Sequence, residues 1–246
     1  MVVFRDEKRI ARLARLAQVL SLGGLAALVI GLLFIFISDN PNVFLYQLAA
    51  LIVGYGLSQI GLHLAHRYLR QPRMDQVLDR AVLKAGRKDG RMYHYLQPAP
   101  HVLLLPNGIF LLVAKFQTGR IIADGDSWKQ TGLGMRRFFG REGLGNPTRE
   151  AEAQVANMAA YLKDAAPSVT NPPITPIIVF TAQNIENLDV KDSRIPAVHH
   201  SKLSSLIRQY KDKQKALPRV DFDALQTALD AKATHLIEAT VEEGSE

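Results

Sequence analysis

The chain has 246 residues, a formal net charge of +7 at pH 7 and no cysteine. Without cysteine, disulfide bonds and thiolate chemistry are excluded. The length leaves room for one soluble domain beside an apolar segment, and the positive charge indicates an acidic partner such as nucleic acid or an anionic lipid surface.

The first apolar region predicts a transmembrane helical hairpin over residues 19–62. The run from Val19 to Ile37 carries no charge and spans about 28 Å as a helix, close to the hydrocarbon thickness of a bilayer. After a polar link, the uncharged run from Val43 to Leu62 has a similar length. A cleaved signal peptide is the alternative for the first run, but its length and the second run behind it favour retention.

Charged residues on both sides of the hairpin predict its orientation. The link between the two runs carries Asp39 alone, whereas basic residues crowd segments 1–18 and 63–92. The positive-inside rule therefore predicts a multi-pass protein of the inner (cytoplasmic) membrane, with both termini and the soluble domain in the cytoplasm. The flanking basic residues are Arg5, Lys8, Arg9, Arg12, Arg15, Arg67, Arg70, Arg73, Arg80, Lys84, Arg87, Lys88 and Arg91.

Small residues recur at helical spacing in both apolar runs. Gly23, Ala27 and Gly31 do so in the first, and Gly54 and Ser58 in the second. Such residues allow two helix backbones to approach closely. The same faces could instead dock onto a larger membrane assembly, but the short link favours packing within the hairpin.

The juxtamembrane segment and the residues after it predict a helix followed by strands. Apolar residues at helical spacing predict an amphipathic helix over residues 74–88. From His101 the pattern changes to two β-rich runs joined by Pro106-Asn107-Gly108, which predicts a hairpin. The runs are almost continuously apolar, which predicts a sheet covered on both faces. A third strand is expected to end near Trp128, completing a three-stranded meander.

The second half of the chain predicts alternating helices and strands. Helices are expected from Asn146 to about Lys163 and from about Ser201 to Lys213, with a strand over 174–181 and a weaker one over 195–199. Asp221 or Asp223 is expected to cap a final helix, residues 224–239, ahead of an acidic tail. The soluble part is therefore predicted to be an α/β (α+β) domain with a mixed central sheet.

Three consecutive segments resemble the nuclease-related domain (NERD) family of the restriction-endonuclease-like superfamily. They are HVLLLPNGIFLLVAK (101–115), the strand from Gly119 that closes with Trp128, and NPTREAEAQVANMAAYL (146–162) before the strand ITPIIVF. The resemblance implies a restriction-endonuclease-like fold for residues 93–215, with residues 216–246 as a C-terminal helix and tail.

The resemblance also implies a catalytic set from which this chain departs. The family pattern has an aspartate before the first strand of the hairpin and a glutamate two positions before its lysine, which together hold a divalent metal. Here Pro100 and Val113 stand at those positions, Lys115 is retained, and Glu150 replaces an expected glutamine. Proline and valine have no side-chain oxygen for a hard cation. The site is therefore predicted to be degenerate, with no metal and no cofactor, and nuclease activity is not favoured.

Other polar residues offer weaker candidate sites. Asp124, Asp126, His101 and Glu150 could form a relocated metal set, although paired aspartates around a glycine are usually solvated turn residues. The adjacent histidines His199 and His200 supply too few ligands for a closed metal site. Lys115 could bind phosphate, but a lysine that ends a buried strand usually extends its ammonium to solvent.

A loop rich in glycine and arginine, residues 132–146, contains the candidate binding segment. Its guanidinium groups and aromatic rings would suit nucleic acid, the membrane surface or a partner protein. The neighbouring membrane anchor favours lipid or protein over nucleic acid. The residues concerned are Arg136, Arg137, Phe138, Phe139 and Arg141.

The sequence thus predicts a membrane-anchored, non-catalytic NERD-like protein that acts as an accessory, scaffolding or binding subunit at the cytoplasmic membrane face. Its expected partners are membrane lipids and other subunits of a membrane complex. The alternative is a membrane-bound nuclease, or a nucleic-acid-binding protein, that uses Lys115 and the loop from Arg136 to Arg141.

Overall fold

The computed structural model describes residues 1–37, 43–85, 90–132, 143–183 and 185–236. The described elements, in chain order, are β1 (Val2–Arg5), α1 (Glu7–Ile37), α2 (Val43–Tyr68), α3 (Met74–Val82), β2 (Arg91–His94), β3 (His101–Leu105), β4 (Gly108–Lys115), β5 (Gly119–Asp124), β6 (Ser127–Thr131), α4 (Pro147–Ala165), β7 (Ile174–Phe180), β8 (Ile185–Lys191), β9 (Ala197–His199), α5 (His200–Lys213) and α6 (Arg219–Asp230). They form two compact units. A helical unit contains residues 7–73, and an α/β unit contains residues 1–6 and most of the chain after Arg73.

The helical unit consists of α1 and α2, which pack against each other along their lengths. Both helices are long and apolar enough to cross a membrane. Helix α1 begins at Glu7, well before the apolar run at Val19, so its first three turns carry Lys8, Arg9, Arg12 and Arg15. The link at residues 38–42 lies outside the described residues.

The contact between the two helices is made by small residues. A Cβ atom added to Gly24 would lie 2.6 Å from the Gly54 carbonyl oxygen and 2.5 Å from Ser58 Oγ. Gly31 faces Ala50 in the same way, with 2.7 Å from its added Cβ to the Ala50 Cβ. Packing within the hairpin therefore uses Gly31, Gly54 and Ser58 as predicted.

The predicted packing role of Gly23 is wrong. A Cβ at Gly23 would meet no atom within 4 Å, because one residue turns a helix by about 100° and carries Gly23 off the contact face that Gly24 occupies. Ala27 is half-buried. Gly23 and Gly24 are adjacent in the sequence, and residue spacing alone does not show which of them faces α2.

The α/β unit is built on a six-stranded mixed sheet in the order β1-β2-β3-β4-β7-β9. The hairpin of β3 and β4 is antiparallel, and β4 pairs with β7 in parallel. One face packs Leu104 and Leu111 against Met158 of α4 and Leu225 of α6. The opposite face packs its own apolar residues against α3 and α5. The expected mixed α/β architecture, with a sheet covered on both faces, is confirmed.

The three-stranded meander predicted from the sequence is wrong. Strand β5 leaves the main sheet and forms a second, three-stranded sheet in the order β6-β5-β8. Gly119 begins β5 with a φ of 84°, a conformation that turns the chain away at little steric cost. The predicted third strand is split by a turn at Gly125, so that Trp128 lies in β6. Strands β1, β2 and β8 were not predicted.

Two predicted helices differ in their limits. Helix α3 ends at Val82, and residues 86–88 of the predicted helix lie outside the described residues. Helix α6 begins at Arg219 after Pro218, which makes no side-chain cap. The predicted caps Asp221 and Asp223 therefore lie inside the helix, in its first turns, where carboxylates are favoured by the helix dipole.

Candidate functional site

Lys115 ends β4 at the centre of the main sheet. Its backbone carbonyl accepts hydrogen bonds from the Thr181 backbone N–H at 2.7 Å and from the Thr181 hydroxyl at 3.1 Å. Parallel pairing also sets Lys115 opposite Phe180 of β7. The position of the lysine backbone is therefore fixed by the neighbouring strand, and its side chain is only 12% exposed.

Helix α4 brings a carboxylate to this lysine. Asn146 caps the helix by accepting a hydrogen bond from the Arg149 backbone N–H at 3.0 Å, and Pro147 occupies the first turn, where its missing N–H costs nothing. The Trp128 indole N–H donates to Thr148 Oγ1 at 2.8 Å, which ties the same turn to β6. Glu150, also in the first turn, accepts a hydrogen bond from the Lys115 ammonium and forms an ion pair with it.

The next turn of α4 adds an amide to the site. Gln154 Nε2 donates to the second oxygen of Glu150 at 3.3 Å. Both oxygens of the carboxylate are therefore engaged, one by an ammonium and one by an amide. Gln154 Oε1 and Gln117 Oε1 are buried and have no hydrogen-bond partner among the described residues. The site around Lys115 therefore contains one neutralised carboxylate and the neutral amide of Gln154.

Val113 and Pro100 stand where the family resemblance places the metal-binding carboxylates. Val113 is 1% exposed and packs with Ile121, Ile178 and Phe180 in an apolar cluster. A divalent cation at Val113 would meet methyl groups, and Glu150, the carboxylate that the described residues bring to Lys115, already neutralises this lysine. The residues present do not fit a Mg²⁺ or Mn²⁺ site, which needs several oxygen ligands and negative charge.

The relocated metal set considered from the sequence does not come together. Glu150 pairs with Lys115, while Asp126 accepts a hydrogen bond from Arg194 Nε at 2.5 Å. Asp124 is exposed at the end of β5. Across the described ranges, no three residues among His, Asp and Glu are grouped to hold a metal ion.

His101 belongs to a different cluster, on the opposite face of the main sheet. Side chains alternate along a strand, and His101 shares its face with Leu103 and Leu105, which pack on α3 and α5. His101 Nδ1 lies 2.8 Å from His94 Nδ1, and His94 Nε2 lies 2.8 Å from the Asp79 carboxylate of α3. Sequence reasoning missed this polar cluster.

The same polar cluster joins the N-terminal strand β1 to α3. Arg5, the last residue of β1, forms ion pairs with Asp75, at 2.8 Å, and with Asp79. His94 and Asp75 are fully buried. Burial alone would raise the pKa of the Asp79 carboxyl, but the hydrogen bond and charge of His94, together with those of Arg5, outweigh it and hold the pKa below its ordinary value. The four side chains therefore form a buried polar connection between β1, α3 and β2.

His199 and His200 have local structural roles. His199 caps α5 by accepting from the Ser201 backbone N–H, and its Nε2 lies 3.0 Å from the Ala182 carbonyl oxygen. The His200 ring lies against that of His199 with centroids 4.1 Å apart. Burial and the neighbouring imidazole lower the pKa of His200. Both ring nitrogens of His199 therefore have hydrogen-bonding partners within the chain.

The predicted binding segment containing Arg136, Arg137, Phe138, Phe139 and Arg141 lies outside the described residues. Its assignment to lipid, protein or nucleic acid stays a prediction. The described candidate site is consequently the group around Lys115, Glu150 and Gln154.

Comparison with known proteins supports the family resemblance. Residues 67–181 match the family model of the nuclease-related domain. This range contains the β3–β4 hairpin, Lys115, Glu150 and β7. No curated protein and no solved structure gives a significant match. Through residues 67–181 the chain is therefore similar to the nuclease-related domain family.

Proposed function

We propose that this protein is a membrane-anchored member of the nuclease-related family that does not cleave nucleic acid. In this proposal it acts as an accessory, scaffolding or binding subunit at the cytoplasmic membrane face and assembles with other membrane proteins. We also propose that the α/β unit has a restriction-endonuclease-like fold, and the family match supports this.

The observation that carries the proposal is the ion pair between Lys115 and Glu150. In metal-assisted phosphodiester hydrolysis, a lysine next to the metal stabilises negative charge on the attacking or leaving oxygen. Here the ammonium donates to a carboxylate of the same chain, and among the described residues that carboxylate has no second acidic partner with which to bind a dication. The retained lysine is thus committed to a structural contact.

The apolar surface of the helical unit supports the membrane anchor. Large apolar side chains along both helices are exposed, including Leu22 and Phe44, at 67% and 69%. A helix from the core of a soluble protein would bury such residues, whereas lipid is a suitable environment for them. The proposal therefore assigns α1 and α2 to the bilayer.

Strand β1 supports a topology with both termini on one side. Residues 2–5 precede α1 in the chain, yet they pair in parallel with β2 of the α/β unit, with Val3 opposite Met92. If α1 and α2 each cross the membrane once, the segment before α1 and the domain after α2 are on the same side. The basic flanks then favour the cytoplasmic side.

Two measurements on the full chain test the proposal. Extraction of membranes with salt and then with nonionic detergent should release the protein only in detergent, and mild detergent should release it in an assembly larger than the single chain. The purified protein should leave DNA and RNA intact in Mg²⁺ or Mn²⁺. Cleavage that is lost in Lys115→Ala would reject the non-catalytic part and favour a membrane-bound nuclease.

A further inference from the structure

Two carboxamide side chains lie within the apolar runs of the hairpin, on opposite sides of α2. They are Gln47 and Gln59. Gln47 lies on the side of α1, since a Cβ added to Gly31 would be 3.8 Å from the Gln47 carbonyl oxygen. Gln59 is exposed. At about 100° per residue it is turned about 140° from Gly54, whose added Cβ would lie 2.8 Å from α1 backbone. Gln59 is therefore on the outer side of the hairpin.

Gln59 lies at the depth of the acyl chains if α2 crosses the membrane. It precedes Leu62, the end of the uncharged run, by three residues, which is about 4.5 Å along the helix axis. The Cα–Cβ bonds of an α-helix tilt toward its N-terminus, and α2 begins at Val43 on the far side of the bilayer. The amide is thus directed toward the bilayer centre and away from the nearer headgroups. Acyl chains cannot form hydrogen bonds with it, so a polar group of another helix is favoured there.

The outer side of α2 has the residue spacing of a coiled-coil contact. Five residues follow one another at intervals of four, three, four and three, and each lies within about 60° of Gly56 around the helix axis. Gly56 itself is turned about 160° from Gly54. Such intervals align one face of a helix with a partner helix. We call this set the outer seam, which consists of Leu45, Ala49, Ile52, Gly56 and Gln59.

The outer seam has room for a close neighbour at its small residues. A Cβ added to Gly56 would meet no atom of the described residues within 4 Å, so packing within the hairpin does not require glycine here. Glycine is less favourable than alanine inside a helix, but it lets a second backbone approach closely. Ala49 is also small and exposed. Leu45 and Ile52, which are 62% and 65% exposed, supply apolar surface on either side of Ala49.

A second copy of this chain is the partner that fits the outer seam. The basic flanks give every copy the same orientation, so the α2 helices of two copies run parallel. A two-fold axis along the membrane normal then brings each residue of the outer seam next to its equivalent. A carboxamide has both a donor and an acceptor, so two Gln59 side chains can form two reciprocal hydrogen bonds. A different partner would need a polar group of its own at this depth.

We propose that the outer seam is a dimerisation surface, on which α2 packs in parallel against α2 of a second copy and Gln59 pairs with its equivalent. A single polar residue in such a contact fixes the register and the number of helices. The inference rests on the membrane insertion proposed above. It names a second copy of the chain as one of the membrane partners.

Disulfide formation in native membranes tests the position of the contact, because the chain has no cysteine of its own. The full chain with Ile52→Cys should give a cross-linked dimer under mild oxidation. Leu51→Cys is the matched control, since Leu51 is also exposed but is turned about 140° from Gly56. It should give far less dimer, because its two thiols are held farther apart than a disulfide allows.

Sedimentation equilibrium of the full protein in nonionic detergent measures the strength of association. Gln59→Leu should weaken the dimer by about tenfold, since it removes two hydrogen bonds between the helices. Gly56→Leu should weaken it as well, because a large side chain keeps the two backbones apart. Gln47→Leu removes the same amide from the side that faces α1 and should leave the association unchanged. Circular dichroism checks that each variant keeps its helices.

A folded wild-type chain that stays monomeric in detergent would overturn the dimer, and so would equal association of Gln59→Leu and wild type. Equal cross-linking of Ile52→Cys and Leu51→Cys would overturn the outer seam as the contact. A chain that stays soluble without detergent would instead reject the proposed anchor, so the two failures are distinguishable.

Discussion

The Lys115 ammonium contacts the Glu150 carboxylate although 35 positions separate these residues in the chain. The contact joins the end of a central strand to the first turn of α4. It places an anion of the chain itself on the lysine that the family resemblance assigns to phosphate chemistry.

Removing the charge of Glu150 should free Lys115 for an external anion. Glu150→Gln keeps the size of the side chain and its capacity for hydrogen bonds while removing the carboxylate. We expect the affinity for inorganic pyrophosphate to rise by roughly tenfold, because a negative charge next to the bound anion is lost. Titration followed by the fluorescence of the sole tryptophan, Trp128, measures it, since that indole is bonded to the same turn of α4.

Glu152→Gln is the control for this experiment, because Glu152 lies on the same helix but pairs with Arg194 at 3.0 Å. It should leave the pyrophosphate affinity unchanged. Equal affinities in the two variants would contradict the role assigned to Glu150.

Restoring a carboxylate at position 113 should not restore metal binding. Val113 is buried among apolar side chains, so Val113→Glu should lower the free energy of unfolding by about 2–4 kcal/mol. Mg²⁺ should not recover this loss, because a second carboxylate ligand is missing at Pro100. Thermal unfolding with and without Mg²⁺ measures both effects, with Val113→Thr as a control of nearly equal volume. Stabilisation of the glutamate variant by Mg²⁺ would show that the site can still assemble.

The buried cluster around Asp79 should make stability depend on pH in the acidic range. The pKa of this carboxyl is held below its ordinary value in the folded chain by His94 and Arg5. A carboxyl whose pKa is lowered by folding contributes stability that is complete above its unfolded pKa and is lost as the pH falls through its folded pKa. At pH 7, Asp79→Asn should therefore cost about 2 kcal/mol or more, since it leaves Arg5 and His94 with a weaker partner.

Urea unfolding from pH 7 to pH 3 measures this dependence. The difference between wild type and Asp79→Asn should shrink below about pH 4, whereas the exposed control Asp164→Asn should differ little from wild type at any pH. A constant difference across the range would reject the role of the ionised carboxylate.

Replacing Gly23 or Gly24 of α1 by alanine should change the stability of the hairpin differently. A Cβ at position 24 would lie within 2.6 Å of α2 backbone atoms, whereas one at position 23 meets open space. We expect Gly24→Ala to destabilise the hairpin by about 1–3 kcal/mol. Gly23→Ala should be neutral or slightly stabilising, because alanine favours helix more than glycine does. Thermal unfolding in detergent, followed by circular dichroism, compares them. Similar losses in both variants would contradict the observed helix register.

Local sequence patterns were sufficient to predict most of the helices and strands of this chain. The apolar runs of α1 and α2, the turn between β3 and β4, and Asn146-Pro147 at the start of α4 each carry their own signal. Strand β1 has only four residues and pairs with residues some 90 positions away. Its formation depends on a partner that periodicity does not reveal, and the same holds for β8.

For the candidate site, too, the sequence predicts residues but not the contacts between separate elements. The departures at Pro100 and Val113 were visible in the sequence, and so was the unexpected Glu150. That Glu150 meets Lys115 follows from the packing of α4 on the sheet, and that His94 meets Asp79 follows from the packing of α3. Neither contact has a signal in residue spacing, since each joins separate elements through the fold.

Titration of Mn²⁺ into the purified chain in detergent tests the central claim most directly. We expect no one-to-one complex with a dissociation constant below about 1 mM, in wild type or in Lys115→Ala, since the described residues around Lys115 offer a single carboxylate, which the lysine neutralises. A tight one-to-one complex that is lost in Glu150→Ala would contradict the account, because it would show a metal bound at the site that we describe as unable to hold one.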